Sequence, residues 1–150
     1  MRRTTLALTV TAALLAATAL AALVAVPAAG TWLDSRHQQT SAFDTGAAAK
    51  ASRASVPRWL PDDARSVRYA MRTTGGERLL KATLPDGAPP APCTAAPGTA
   101  AKAPAIGTDW FPADARDRAA VRCGAYYAYT DGDTLYAWQD NADWIRDGAN

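Results

Sequence analysis

The sequence predicts an α+β fold: a small antiparallel sheet from two pseudo-repeated short-helix-plus-hairpin units, preceded by one N-terminal apolar helix. Three observations predict it. Trp59-Leu60-Pro61-Asp62-Asp63-Ala64-Arg65 returns 51 residues later as Trp110-Phe111-Pro112-Ala113-Asp114-Ala115-Arg116. Each copy runs into an apolar-alternating segment opening with Val-Arg, at Val67-Arg68 and at Val121-Arg122, and then into a glycine-containing turn. Ahead of both, Leu6 to Ala29 is 24 positions without a charge.

The N-terminal segment comes first. At about 1.5 Å per residue it makes a helix of about 36 Å, more than the roughly 30 Å hydrocarbon core of a bilayer. Arg2 and Arg3 supply the cytoplasmic positive charge, so the rest of the chain is expected outside. Residues 1–32 read as a signal-anchor or as a cleaved signal peptide. The length, beyond the usual 7–15-residue signal core, and Trp32 at the outer interface favour the anchor. Val26-Pro27-Ala28 supplies the small residues that cleavage needs, and the arginine pair hints weakly at twin-arginine export. The expected location is the cell membrane, a single pass with the C-terminal domain outside, or secretion if the segment is cut. The membrane contact would be residues 6–29.

Residues 33–55 read as a low-complexity spacer, because Phe43 is nearly their only bulky apolar side chain. A fraying alanine-rich helix is the alternative. The extracytoplasmic domain is then 56–147. Pro61 with Asp62 and Asp63 suits a one-turn helix start. Gly75-Gly76 as a two-residue loop would pair Val67 with Leu84, Tyr69 with Ala82 and Met71 with Leu80 on an apolar face. Arg68–Thr83, Ala70–Lys81 and Arg72–Leu79 then form a mixed, basic face. Pro85 to Ile106, with six prolines, reads as irregular connection without strand. The second copy opens a polar one- to two-turn helix. Asp131-Gly132 as a loop would pair Tyr127 with Tyr136, Tyr129 with Thr134 and Ala125 with Trp138. Asp140 to Asn150 is polar except for Trp144 and Ile145, which are expected to dock as a last turn.

The two cysteines, Cys93 and Cys123, lie beyond the apolar segment. An even number in an oxidising compartment predicts a disulfide. It would tie the proline-rich loop to the second hairpin and contribute roughly 3–4 kcal/mol in the chain-entropy account.

From residue 30 onward 14 basic residues balance 14 acidic ones, so nothing draws the domain to a phosphate backbone and nucleic acid is not an expected partner. His37 stands in the spacer as the sole histidine, which leaves zinc and Ser-His-Asp chemistry without their parts. No metal and no cofactor are expected. Asp62, Asp63, Asp114, Asp117, Asp131 and Asp133 are explained by turns and helix caps, so no catalytic residue is assigned. The feature beyond structural need is the aromatic strand face. Tyr127, Tyr129, Tyr136 and Trp138 read as core against Trp59, Trp110 and the first hairpin, or as a platform for a sugar ring or peptide.

The Trp-Leu-Pro-Asp-Asp-Ala opening, the later Asp-Trp-Phe-Pro, the Arg-Cys-Gly and the closing aromatic strand give the chain its resemblance. From Val56 to about Trp138 it resembles short uncharacterised exported or membrane-anchored proteins of high-GC Gram-positive bacteria. That resemblance implies location and no assigned activity. The leading expectation is a non-enzymatic membrane-anchored module that binds a protein or glycan of the cell envelope. The alternatives are a small carboxylate-based hydrolase and a structural accessory subunit of a membrane complex.

Overall fold

The structure, a computed structural model, describes residues 36–96 and 101–148. The chain divides into units 1–37 and 38–150, and the second carries the fold. The apolar segment 6–29 and the boundary at residue 32 lie outside the described residues. Among the described residues no helix is long and apolar enough to cross a membrane.

Seven antiparallel strands form one sheet. Their ranges are β1 Gln38–Thr45, β2 Arg65–Arg72, β3 Arg78–Thr83, β4 Thr94–Ala95, β5 Val121–Cys123, β6 Tyr126–Asp131 and β7 Thr134–Gln139. The spatial order is β1-β2-β3-β7-β6-β5-β4. Among the described residues three short helices accompany it: α1 Gly46–Ser52, α2 Ala115–Arg118 and α3 Asn141–Gly148.

Residues 38–52, expected to be spacer, are strand and helix, so the folded unit begins before Val56. A polar segment can serve as an edge strand because the ladder orders it, not its own burial. Gln38 to Thr45 pairs residue for residue along β2, with Phe43 opposite Val67. Thr45 then caps α1, its Oγ1 accepting from the Ala48 N–H at 3.1 Å. Ala49 packs into the core. At Gly46 the backbone passes so close to Pro61 that a Cβ would run into the Pro61 carbonyl.

Both hairpins keep their expected faces and differ in register by two residues. In the first, Tyr69 faces Leu80 and Ala70 faces Leu79. The turn takes in Thr73 to Gly76, and Arg72 N–H donates to the Glu77 carbonyl. In the second, Tyr129 faces Tyr136 and Tyr127 faces Trp138, which makes Gly132-Asp133 the loop. Only Gly132 of that pair has positive φ, at 60°, the position where a II′ turn wants glycine. A two-residue displacement leaves every side chain on its own side, because the strand period is two.

The helix expected after Pro61 is a turn. The Ala64 N–H donates to the Pro61 carbonyl, and Asp62 pairs with Lys50 at 2.7 Å instead of facing a helix N-terminus. The second copy yields the single turn α2. Trp59 packs on one face of the sheet, edge-on to Tyr126. Trp110 packs on the other, edge-on to Phe111. The proline-rich stretch contains one short strand, β4, which pairs with β5. Cys93, just ahead of β4, forms the expected disulfide with Cys123 at the end of β5. The C-terminal turn is the two-turn helix α3, with Trp144 against Gly76 yet 46% exposed and Ile145 57% exposed.

The sheet carries a core on each face. The first is mostly aliphatic: Val56, Leu60, Val67, Leu80, Leu84 and Leu135, with Tyr69 and Tyr126. Tyr69 is fully buried and donates to the Ser55 carbonyl at 2.8 Å. Burial pushes the Tyr126 phenol well above its ordinary value, and the Tyr69 ring beside it adds to the shift. The second core is aromatic and is covered by residues 101–119, here called the lid.

Candidate functional site

The four residues read as core or as a partner platform form part of the second core. Trp138 is fully buried, and Tyr127 and Tyr129 nearly so, while Tyr136 is half-buried. Ala101, Ile106, Phe111, Ala115 and Ala119 of the lid close over them with Trp110. Ala70 and Leu79 of the first hairpin belong to the same cluster. Trp59 does not, because its strand neighbours face the other side. Their burial follows the core alternative of the sequence reading, with the lid as cover: the apolar area of these rings is spent on the lid.

One polar tip among the rings holds that lid. Trp138 Nε1 donates to the Lys102 carbonyl at 2.8 Å. Each tyrosine carries a cation on its ring: Arg122 on Tyr127 at 4.1 Å, Arg118 on Tyr129 at 4.4 Å, and Lys81 on Tyr136 at 5.4 Å. Arg118 is fixed in turn by Asp131 at 2.8 Å. Burial pushes the Tyr129 phenol up to about 12, with Arg118 opposing.

At the end of this face lies a cavity of about 360 Å³ lined by Ala96, Ala101, Lys102, Ala119, Val121, Arg122, Tyr127, Asp143 and Arg146. Its floor is Asp143, a carboxylate 1% exposed. Helix α3 places it there. Asp140 caps that helix, its Oδ1 accepting from the Ala142 N–H at 2.9 Å, and one turn turns Asp143 inward. Asp143 accepts from Tyr127 Oη at 2.8 Å and from Lys102 Nζ at 2.9 Å. Arg146 reaches it at 3.0 Å and Arg122 at 3.6 Å. Burial alone would push this carboxyl up. The hydrogen bonds from Lys102 and Tyr127 and the charges of Lys102 and Arg122 outweigh it, and the net direction is down. Lys102 is raised by its bonds to Asp143 and Asp140.

The cavity is thus lined by three cations and one carboxylate. Asp140 and Asp147 pair with these cations from outside the lining. Among the described residues, Lys102 uses two of its three N–H donors on Asp140 and Asp143. The pairs of Arg122 and Arg146 likewise leave guanidinium donors over. A half-open cavity with surplus donors and a largely apolar lining is suited to a ligand that carries one oxyanion on an apolar body. Among the described residues no group of His, Cys, Asp and Glu is arranged to hold a metal ion.

None of Lys102, Arg122, Asp143 or Arg146 was singled out by the sequence patterns. They come from three separate segments, the lid, β5 and α3, that only the fold brings together. One local signal was available for Asp143: Asp140 three residues ahead of it marks a helix start, and N-capping sends the residue at that spacing to a defined side.

Comparison with known proteins finds no match to a protein family, to a curated protein or to a solved structure.

Proposed function

We propose that this protein is a non-enzymatic extracytoplasmic binding module, anchored by residues 6–29. Its cavity over Asp143 takes a carboxylate or phosphate group borne by a glycan or protein of the cell envelope. The observation that carries this reading is the lining itself: Lys102, Arg122 and Arg146 against one buried carboxylate that already holds two hydrogen bonds, from Tyr127 and Lys102, and two further ion pairs, to Arg146 and Arg122. The location rests on the length and charge flanks of the N-terminal segment and on the resemblance to exported proteins. The disulfide supports an oxidising compartment. The two-unit, pseudo-repeated origin of the sheet belongs to the same proposal and rests on the doubled Trp-x-Pro stretch. A carboxylate-based hydrolase fits less well, since a general acid works best with a raised pKa and Asp143 is lowered.

The test uses the full chain in detergent, with tryptophan fluorescence as readout. The probes are a carboxylate-bearing amino sugar, a sugar phosphate and their uncharged analogues. Binding of an anionic probe, weakened at least about fivefold by Arg146→Gln, is expected, a loss of the size of one ion pair. Arg146 is largely exposed, so this variant should fold. Equal binding of charged and uncharged probes would refute the cavity assignment. Intact mass with N-terminal sequencing of the native protein decides separately between anchor and cleaved signal.

A further inference from the structure

The two edges of the sheet are unlike. The β4 edge is two residues long and is tied down at Cys93. The β1 edge runs for eight residues without proline, its register to β2 is unbroken, and Asp44 is its only charge. Gln39, Thr40, Ala42 and Asp44 are exposed, and among the described residues no strand lies outside it. Proteins usually blunt such an edge with lysine, proline, a bulge or brevity, and this one has none of these.

A groove of about 420 Å³ runs beside that edge, on the face that bears the lid. It is lined by Gln38, Thr40, Ser41 and Ala42 of β1, by Arg68 of β2, and by Gly107 to Trp110 of the lid. Gln38 Nε2 donates to the Gly107 carbonyl at 2.9 Å, so lid and edge strand are joined at one end of the groove. Arg68 pairs with Ala42 across the ladder. The small Ala42 side chain leaves the guanidinium a path to the edge. Arg68 is exposed and, among the described residues, has no carboxylate partner within ion-pair distance.

We propose that β1 receives an extended strand of a partner protein, carrying a carboxylate side chain that meets Arg68. Main-chain hydrogen bonds along β1 would supply affinity. Alternate side chains of the incoming strand, opposite Thr40 and Ala42, would enter the groove and supply selectivity. An added strand lies about 4.8 Å beyond β1, hence roughly 10 Å from β2, within the joint reach of an arginine and a glutamate. Asp109 also lines the groove, so the complementarity is local to Arg68: the ladder places Ala42 on one side of it and Lys81 on the other, and an acidic residue of the incoming strand is expected opposite Ala42.

The experiment uses the full chain in detergent and fluorescein-labelled octapeptides of alternating valine and threonine with one central glutamate, glutamine or lysine. Fluorescence anisotropy should show the glutamate peptide binding most tightly, with Arg68→Gln removing about fivefold of its affinity, the scale of one exposed ion pair. A glutamate peptide N-methylated at every peptide nitrogen should not bind, since neither of its edges can donate to the ladder. This probe alters the ligand alone, so protein folding does not enter. Equal binding of the N-methylated peptide would overturn strand addition. Equal binding of all three peptides, unaffected by Arg68→Gln, would overturn the acidic partner. Sedimentation showing a dimer that Ala42→Lys disperses would overturn it in favour of a second copy of this chain.

Discussion

The two faces of the sheet are closed in different ways. The first is packed with branched aliphatic side chains, Val67, Leu80, Leu84 and Leu135, under Ala49 of α1 and the Val56–Leu60 loop. Its cover lies immediately before β2 in the chain. The second is packed with rings, and its cover is a lid with little helix and few large apolar residues. What the lid lacks in apolar area is made up by directional contacts: the Trp138 indole N–H to the Lys102 carbonyl, and Lys102 to the Asp143 carboxylate. An aliphatic face is held by shape. An aromatic face with polar tips can hold an irregular segment, because each ring offers both area and a donor.

That contrast can be broken by truncation. Trp138→Ala should cost about 3–5 kcal/mol and Leu80→Ala about 2–5 kcal/mol in denaturant unfolding, the ranges for buried aromatic and aliphatic deletions. The distribution of the damage is the sharper readout. Hydrogen exchange should rise in 101–119 for Trp138→Ala and in α1 for Leu80→Ala. Equal loosening of both covers in both variants would show that the faces open as one unit.

Next in size is the Asp143 anchor. Asp143→Asn should cost about 1.5–3 kcal/mol, the range for hydrogen bonds to a charged group. The pH dependence follows from the direction of each shift. The Asp143 carboxyl is lowered in the folded protein, so its contribution is present above the ordinary carboxylate range near 4 and is lost as pH falls through its folded value. Lys102 is raised, so its contribution is present below its ordinary value and is lost as pH rises through its folded value. Wild type should therefore weaken in acid below about pH 4, and Asp143→Asn should flatten that limb. An unchanged acid limb would place the acid sensitivity elsewhere.

The smallest effect concerns the entry to β2 on the aliphatic side. Ser66 has φ of +51° beside the register shift between Arg65 and Arg68. Left-handed backbone disfavours any side chain there, so Ser66→Gly should stabilise by about 0.5–1 kcal/mol after glycine's own entropy cost. Destabilisation would mean that the serine side chain makes up for its backbone.

What was legible in the chain follows the same division. Both hairpins and their faces were readable from alternation, and the two-residue displacements did no harm because they preserve sidedness. The disulfide was readable from cysteine number. Strand β1 was not, because Gln38 to Thr45 shows no apolar alternation and owes its order to the ladder of β2. For Tyr127, Tyr129 and Trp138 core was one of two open readings, and what covers them was not legible. Their covering segment has no periodicity, and its hold depends on a backbone carbonyl at Lys102 and a carboxylate at Asp143, neither of which leaves a local pattern. The cavity residues were dispersed for the same reason.

Cys93 and Cys123 sit on either side of the lid in the chain, so their bond makes the whole covering segment part of a covalent ring. Lys102, Arg116, Arg118 and Arg122 are the basic residues a trypsin-like protease would find on the described part of that ring. A single cut at any of them opens the ring but releases no fragment. The molecule keeps its mass, apart from one added water, until a reductant separates the halves. Lid and sheet can thus part company locally, and even be nicked, while the lid stays tethered at both ends above the rings it covers.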